Sequence, residues 1–167
     1  INIVDVSEAE VIKAIGRLKN KLTSGLDNIP AFFVKDCSVV FAKPLLRIFN
    51  LSLKTGKFPQ VWKQAKLCPI HKAGEKTDIE NYRPVSILCN FSKVFEIVLY
   101  NRIQPSVRNY ISLDQHGFID KRSTVTNLFV ITQYISDVLD KQGQVDVIYT
   151  DLSKAFDRVS HEKLLSK

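Results

Sequence analysis

Methionine is absent from all 167 residues and tryptophan occurs once. With Ile1 at the start, the missing methionine leads us to expect an internal segment of a longer polypeptide. Cysteine is scarce too. Cys37, Cys68 and Cys89 stand apart, with no C-x-x-C and no nearby histidine pair, which argues against a zinc site or a disulfide framework and suggests reduced intracellular thiols. Long apolar runs are missing. The stretch from Val94 to Leu99 is broken by Glu96 and falls far short of the roughly 18 residues of a membrane-spanning helix, and no signal-peptide pattern opens the chain. A soluble, non-secreted protein is expected. Hydrophobic residues at 45% and charged residues at 25% match a packed domain, which excludes a disordered chain, a collagen-like chain or a coiled-coil rod.

What is present is positive charge, unevenly placed. Net charge is +7 and the isoelectric point is near 9.3. Between Lys43 and Lys76 eight basic residues, Lys63 and Lys66 among them, face Glu75 alone, a local excess as large as that of the whole chain. The segment reads as a phosphate footprint. Phe49, Phe58, Trp62, His71 and Tyr82 interleave with it and would either stack on bases or fill a core beneath a solvated lysine-rich surface.

Periodicity places the elements. Ser7 and Glu10 form a capping-box pattern, and Val11, Ile15, Leu18 and Leu22 predict a helix over 7–22. Pro30 suits the first turn of a short second helix, and Leu45, Ile48, Phe49 and Leu53 mark a third that stops near Gly56. Extended stretches around Lys66–Lys72 and Arg83–Leu88 flank the polar turn Ala73–Lys76, as in a hairpin. A helix follows from Asn90, with Pro105 expected to bend or end it. Another begins at the Ser123 cap, with Leu128, Ile131, Ile135, Val138 and Leu139 on one stripe and a stop at Lys141-Gln142-Gly143. Alternation of Val145, Val147 and Tyr149 then predicts a strand that delivers Asp151 at its end, before Ser160 caps a final helix.

A carboxylate at a strand end is a hard oxygen ligand in open space, suited to Mg²⁺. Asp151 by itself is weak evidence, since a solvated terminal aspartate is the commoner case. Its surroundings decide. Asp151-Leu152-Ser153-Lys154-Ala155-Phe156-Asp157, followed by Val159, His161 and Leu164-Leu165, closely resembles the first catalytic motif of reverse transcriptases from non-LTR (LINE-type) retrotransposons. Asn81-Tyr82-Arg83-Pro84-Val85-Ser86-Ile87-Leu88, then Lys93, Glu96 and Arg102, resembles the second fingers motif; Trp62 with Pro69-Ile70-His71-Lys72-Ala73-Gly74 resembles the first. Gln115-His116-Gly117-Phe118 and Arg122-Ser123-Thr124 are similar to the segment joining fingers to palm, and Gly25-Leu26-Asp27-Asn28-Ile29-Pro30 to the amino-terminal fingers motif. Five matches in family order span most of the chain. In the last of them Ser24 and Leu26 stand where the family has proline and Asn28 where glycine is common, though asparagine tolerates a left-handed turn.

The resemblance implies an α+β fold: a fragment of a right-hand polymerase with helical fingers, a β-hairpin and the first strand of an antiparallel palm sheet. Residues 1–144 would be fingers and fingers-to-palm connection, and 145–167 the start of the palm. It implies an RNA-directed DNA polymerase working by two-metal nucleotidyl transfer with Mg²⁺ or Mn²⁺ held by Asp151 and the Leu152 carbonyl. Lys72 and Arg83 would hold the deoxynucleoside triphosphate, Gly117 and Phe118 would line its wall, and Phe156 would exclude a 2′-hydroxyl. Taken alone, Phe156 is as well read as a core aromatic. Lys63, Lys66 and Arg122 would contact nucleic acid. Partners would be an RNA template, a DNA primer and the remainder of the same polyprotein, with palm, thumb and endonuclease; no membrane is implied. The setting would be intracellular, in a cytoplasmic ribonucleoprotein and the nucleus. The family's paired aspartates are not in the sequence, so the segment is expected not to polymerise by itself, and an unpaired palm strand would make it prone to associate. A group II intron maturase-like reverse transcriptase, a non-catalytic RNA-binding relic and a DNA-binding module driven by charge alone stay open at this point.

Overall fold

The computed structural model describes residues 5–152 and 158–166. The chain divides into two compact units, 1–111 and 112–167. The first unit is a helical layer carrying a hairpin. Helix α1 (Glu8–Gly16) starts at Ser7, whose hydroxyl accepts from the Glu10 amide while the Glu10 carboxylate accepts from the Ser7 amide. Val11, Ala14 and Ile15 are its buried face. The helix ends at Gly16 rather than residue 22. Arg17 and Leu18 close it with tight bonds to Ala14 and Ile15, so Leu18 still turns inward while Leu22 is 82% exposed.

Pro30 sits just before α2 (Ala31–Asp36), at its cap, and α3 (Ser38–Thr55) stops at Gly56, whose φ of 64° is the left-handed cap that glycine adopts without strain. Leu45 and Phe49 of α3 face inward, but Ile48 is exposed. Phe49 is the centre of the core. Its ring stacks on Phe95 at 4.6 Å and meets Trp62 edge-on at 5.8 Å, with Phe58 packed on Trp62 and Phe95. Of the two roles open to Phe49, Phe58 and Trp62, the structure gives them the core, with Lys54, Lys57 and Lys63 exposed around them.

A short turn, Gln60–Lys63, leads into β1 (Lys66–His71), which pairs antiparallel with β2 (Tyr82–Ile87) from Lys66↔Ile87 to His71↔Tyr82. The strands fall where alternation put them, and the connection over 72–81 holds a second turn at Ile79–Asn81 beyond the expected polar turn at Ala73–Lys76. Helix α4 (Asn90–Arg108) packs on α1 and α2 and buries Val94, Phe95 and Val98, with the Phe95 ring against Phe49 of α3. It continues three residues past Pro105. The amide that proline lacks falls in the exposed last turns, where water can take the freed carbonyl, while the buried half anchors the helix. Arg102 of α4 clamps α1, donating to Glu10 at 2.8 and 2.9 Å and to the Asp5 carbonyl at 2.9 Å.

In the second unit α5 (Thr124–Asp140) begins at a reciprocal Ser123/Thr126 cap and stops at Lys141, and α6 (His161–Leu165) begins at Ser160, all as the sequence predicts. The stripe Leu128, Ile131 and Leu139 stays exposed. The predicted strand over 145–150 is not formed. A strand needs a neighbour for its backbone groups, and the one sheet among the described residues is the β1-β2 pair. No described helix is long and apolar enough to cross a membrane.

Candidate functional site

The hairpin sorts its side chains by alternation. Arg83 pairs with Ile70, and the Lys72 amide donates to the Asn81 carbonyl at 2.8 Å, one step beyond the last strand pair. Lys66, Ile70 and Lys72 therefore share one face with Arg83 and Val85, and Lys72 lies diagonally across from Arg83, a separation of roughly 7–8 Å between such positions. Both cations are exposed, and neither is ion-paired among the described residues. On the opposite face the His71 and Tyr82 rings meet edge-on at 5.3 Å. The tip is braced from within: the Asn81 amide donates to Glu75 O at 3.0 Å, the Tyr82 hydroxyl to Lys76 O at 2.9 Å, and a His71 ring nitrogen lies 3.1 Å from Gly74 O. Such bracing holds Lys72 at a defined place on an otherwise solvated ribbon. A point charge and a planar fork held on one face suit a polyphosphate.

The base of the hairpin is held by the 23–29 loop, which the sequence marked by its resemblance to the amino-terminal fingers motif but not by its contacts. Asn90, buried at the start of α4, donates its side-chain amide to Ile29 O at 2.7 Å and to Thr23 O at 3.4 Å, tying both ends of the 23–29 loop to the β2–α4 junction. Gly25 lies against that junction so closely that a Cβ would stand 2.6 Å from the Cys89 backbone. Asn28 takes φ of 56°, the left-handed conformation its side chain tolerates, and the Asp27 carboxylate accepts from the Ile29 amide at 3.2 Å. Glycine and asparagine in line mark a motif and a turn; the close approach of Gly25 to Cys89 is a tertiary fact.

In the second unit Phe118 has φ of 62° and a 94% exposed side chain, and Gly117 O accepts from the Gln115 amide at 3.1 Å. The Arg122 guanidinium donates to the carbonyls of Leu113 and Gln115, so it braces the 113–117 turn that presents Gly117 and Phe118. His116 is held by Thr126 of α5 at 2.9 Å. Asp151 and Leu152 are exposed, and Phe156 lies outside the described residues. Among the described residues no three His, Cys, Asp or Glu side chains come together as a metal-binding cluster. The donors Asp151 and the Leu152 carbonyl fit Mg²⁺ in kind, being hard oxygens; two of them leave most of an octahedral shell to phosphate and water, as this ion prefers.

The first unit thus carries exposed cations on a hairpin, and the second carries an exposed Asp151 ahead of its last helix. The profile of the reverse transcriptase (RNA-dependent DNA polymerase) family matches residues 70–167, and the chain belongs to that family. It is 34% identical over 95% of its length to the probable RNA-directed DNA polymerase from transposon BS of Drosophila melanogaster. It is also 33% identical over 97% of its length to the RNA-directed DNA polymerase from mobile element jockey, and 30% identical over 91% to the probable polymerase from transposon X-element, both of that fly. These relatives bear out the resemblance to non-LTR elements. The chain spans about 18% of the length of the first two and 17% of the third.

Proposed function

We propose that this chain forms the fingers and the opening of the palm of an RNA-directed DNA polymerase, with the palm beginning near residue 145. The observation that carries the reading is the hairpin face on which Lys72 and Arg83 stand exposed, with no carboxylate paired to them among the described residues. In this reading Lys72 and Arg83 bind the incoming deoxynucleoside triphosphate, while Gly117 and Phe118 line its wall and Phe156 packs under the sugar. Lys63, Lys66 and Arg122 hold template and primer backbones. Asp151 and the Leu152 carbonyl hold Mg²⁺ or Mn²⁺, which when bound would activate the primer hydroxyl and stabilise the departing pyrophosphate. Residues 145–150 become a strand once the remainder of the palm supplies a partner; the alternation of Val145, Val147 and Tyr149 supports this. The working protein is then the longer polyprotein, in a cytoplasmic ribonucleoprotein and the nucleus.

Primer extension on an RNA template by the full-length protein tests the proposal. Asp151→Asn should abolish extension, and Lys72→Ala or Arg83→Ala should each raise the KM for nucleotide about 10- to 100-fold, the loss of one charge-assisted contact of roughly 1.5–3 kcal/mol. Extension that survives Asp151→Asn would overturn the metal role.

A further inference from the structure

Three cavities of about 360, 530 and 340 Å³ lie in series on the first unit. The first two share Arg17, and the second and third share Leu18, Lys19 and Lys93, so they form one groove that runs from the α1–α4 seam to the end of β2. Lys13, Arg17, Lys19, Lys21 and Lys93 line it, all outside the basic stretch 43–76 that dominates the sequence. Two carboxylates face them. Glu10 is committed to Arg102, and burial raises the pKa of Glu96 while Lys93 beside it opposes the shift, so Glu96 is the one carboxylate left facing the five cations along this lining. None of the five cations forms an ion pair among the described residues; Arg17 donates to the Asn101 side chain and Lys93 to that of Asn90, both neutral. Lys13 and Arg17 are one helical turn apart, so their charges stand side by side along the groove. Tyr100, 46% exposed, lines the wall and is the aromatic side chain within reach of a base there.

A furrow with five cations against two carboxylates, one of them already paired to Arg102, and with a tyrosine on its wall matches a single nucleic-acid strand, whose phosphates follow the cations while a base stacks. We propose that the α1–α4 groove is a second binding track for single-stranded RNA, separate from the Lys72/Arg83 hairpin face. The choice of RNA rests on the RNA-directed reading above; the groove needs binding alone and no polymerisation.

The test measures the affinity of the full-length protein for a labelled oligouridylate between 50 and 200 mM salt. Replacing Lys19, Lys21 and Lys93 together by glutamine should lower the slope of log affinity against log salt by about 2, at roughly 0.7 per phosphate contact, so the loss of affinity over that range shrinks about 20-fold. Arginine at the same three positions should restore the slope, and ultraviolet irradiation should cross-link the RNA to Tyr100. An unchanged slope in the glutamine variant, with its thermal midpoint intact, overturns the proposal. So does loss of binding to polyglutamate alone, which would give the groove to an acidic protein segment. Asp151→Asn should leave the slope unchanged while abolishing extension, so failure of the polymerase reading and failure of the groove are read separately.

Discussion

Gly25→Ala is a single methyl whose cost can be worked from geometry. The new carbon would lie 2.6 Å from both Cα and N of Cys89 and 2.9 Å from the Leu88 carbonyl carbon, where carbon atoms rest at about 3.5–4.0 Å. These are backbone atoms at the point where β2 gives way to α4, so no rotamer change relieves the overlap. The 23–29 loop must lift by about 1 Å, and the Asn90 bonds to Ile29 O and Thr23 O lengthen with it. Overpacking of this kind costs about 1–3 kcal/mol and a weakened buried hydrogen bond about 1 more, so the total is about 2–4 kcal/mol. At roughly 2–4 °C per kcal/mol for a chain of this size, the thermal midpoint should fall by about 5–15 °C. Gly16→Ala is the control: nothing lies within 4 Å of its Cβ, and replacing a helical glycine should stabilise by about 0.5–1 kcal/mol. Urea titrations followed by far-ultraviolet circular dichroism measure both. If Gly25→Ala unfolds at or above the wild-type midpoint, the close packing of this loop is not what the structure indicates.

Phe49→Ala should cost about 3–5 kcal/mol, because its ring touches Trp62 and Phe95 at the centre of the core; a loss under 1 kcal/mol in the same titration would contradict that position. Glu10 is held down to about 2, first by hydrogen bonds from Arg102, against an ordinary value of 4.5. A depressed carboxylate contributes stability that is complete above the unfolded value and lost as pH falls through the folded one. The stability gap between wild type and Glu10→Gln should therefore be widest at neutral pH and close between pH 4.5 and 2, seen as converging urea midpoints. Glu96 is shifted the other way by burial, so Glu96→Gln should stabilise the protein at neutral pH, and the gain should vanish in acid.

Local rules made several elements legible before any packing was known. Ser7 with Glu10, Gly56 and the Ser123 cap set helix ends through hydrogen bonds made within a few residues, and the hairpin strands followed from alternation around a polar turn. Helix α1 stops short of the stripe that Leu18 and Leu22 extend, because Leu18 reaches the core through a tight turn rather than a further helical turn and Leu22 faces solvent. Alternation over 145–150 states which faces a strand would have, while its formation depends on a neighbour that the described residues do not supply.

The family, the helix caps and the alternation that puts Lys72 and Arg83 on one side of a ribbon were all set by the order of residues alone, since each depends on neighbours in the chain or on motifs read in line. Tertiary structure alone decided that Phe49 and Trp62 are core and that Gly25 lies against Cys89 under the Asn90 tie. It also decided that cations from Lys13 to Lys21 meet Lys93 in one groove. Those facts join residues up to some eighty positions apart, and the energies that bring them together, close packing and the removal of apolar surface from water, depend on distances in space that no local pattern encodes.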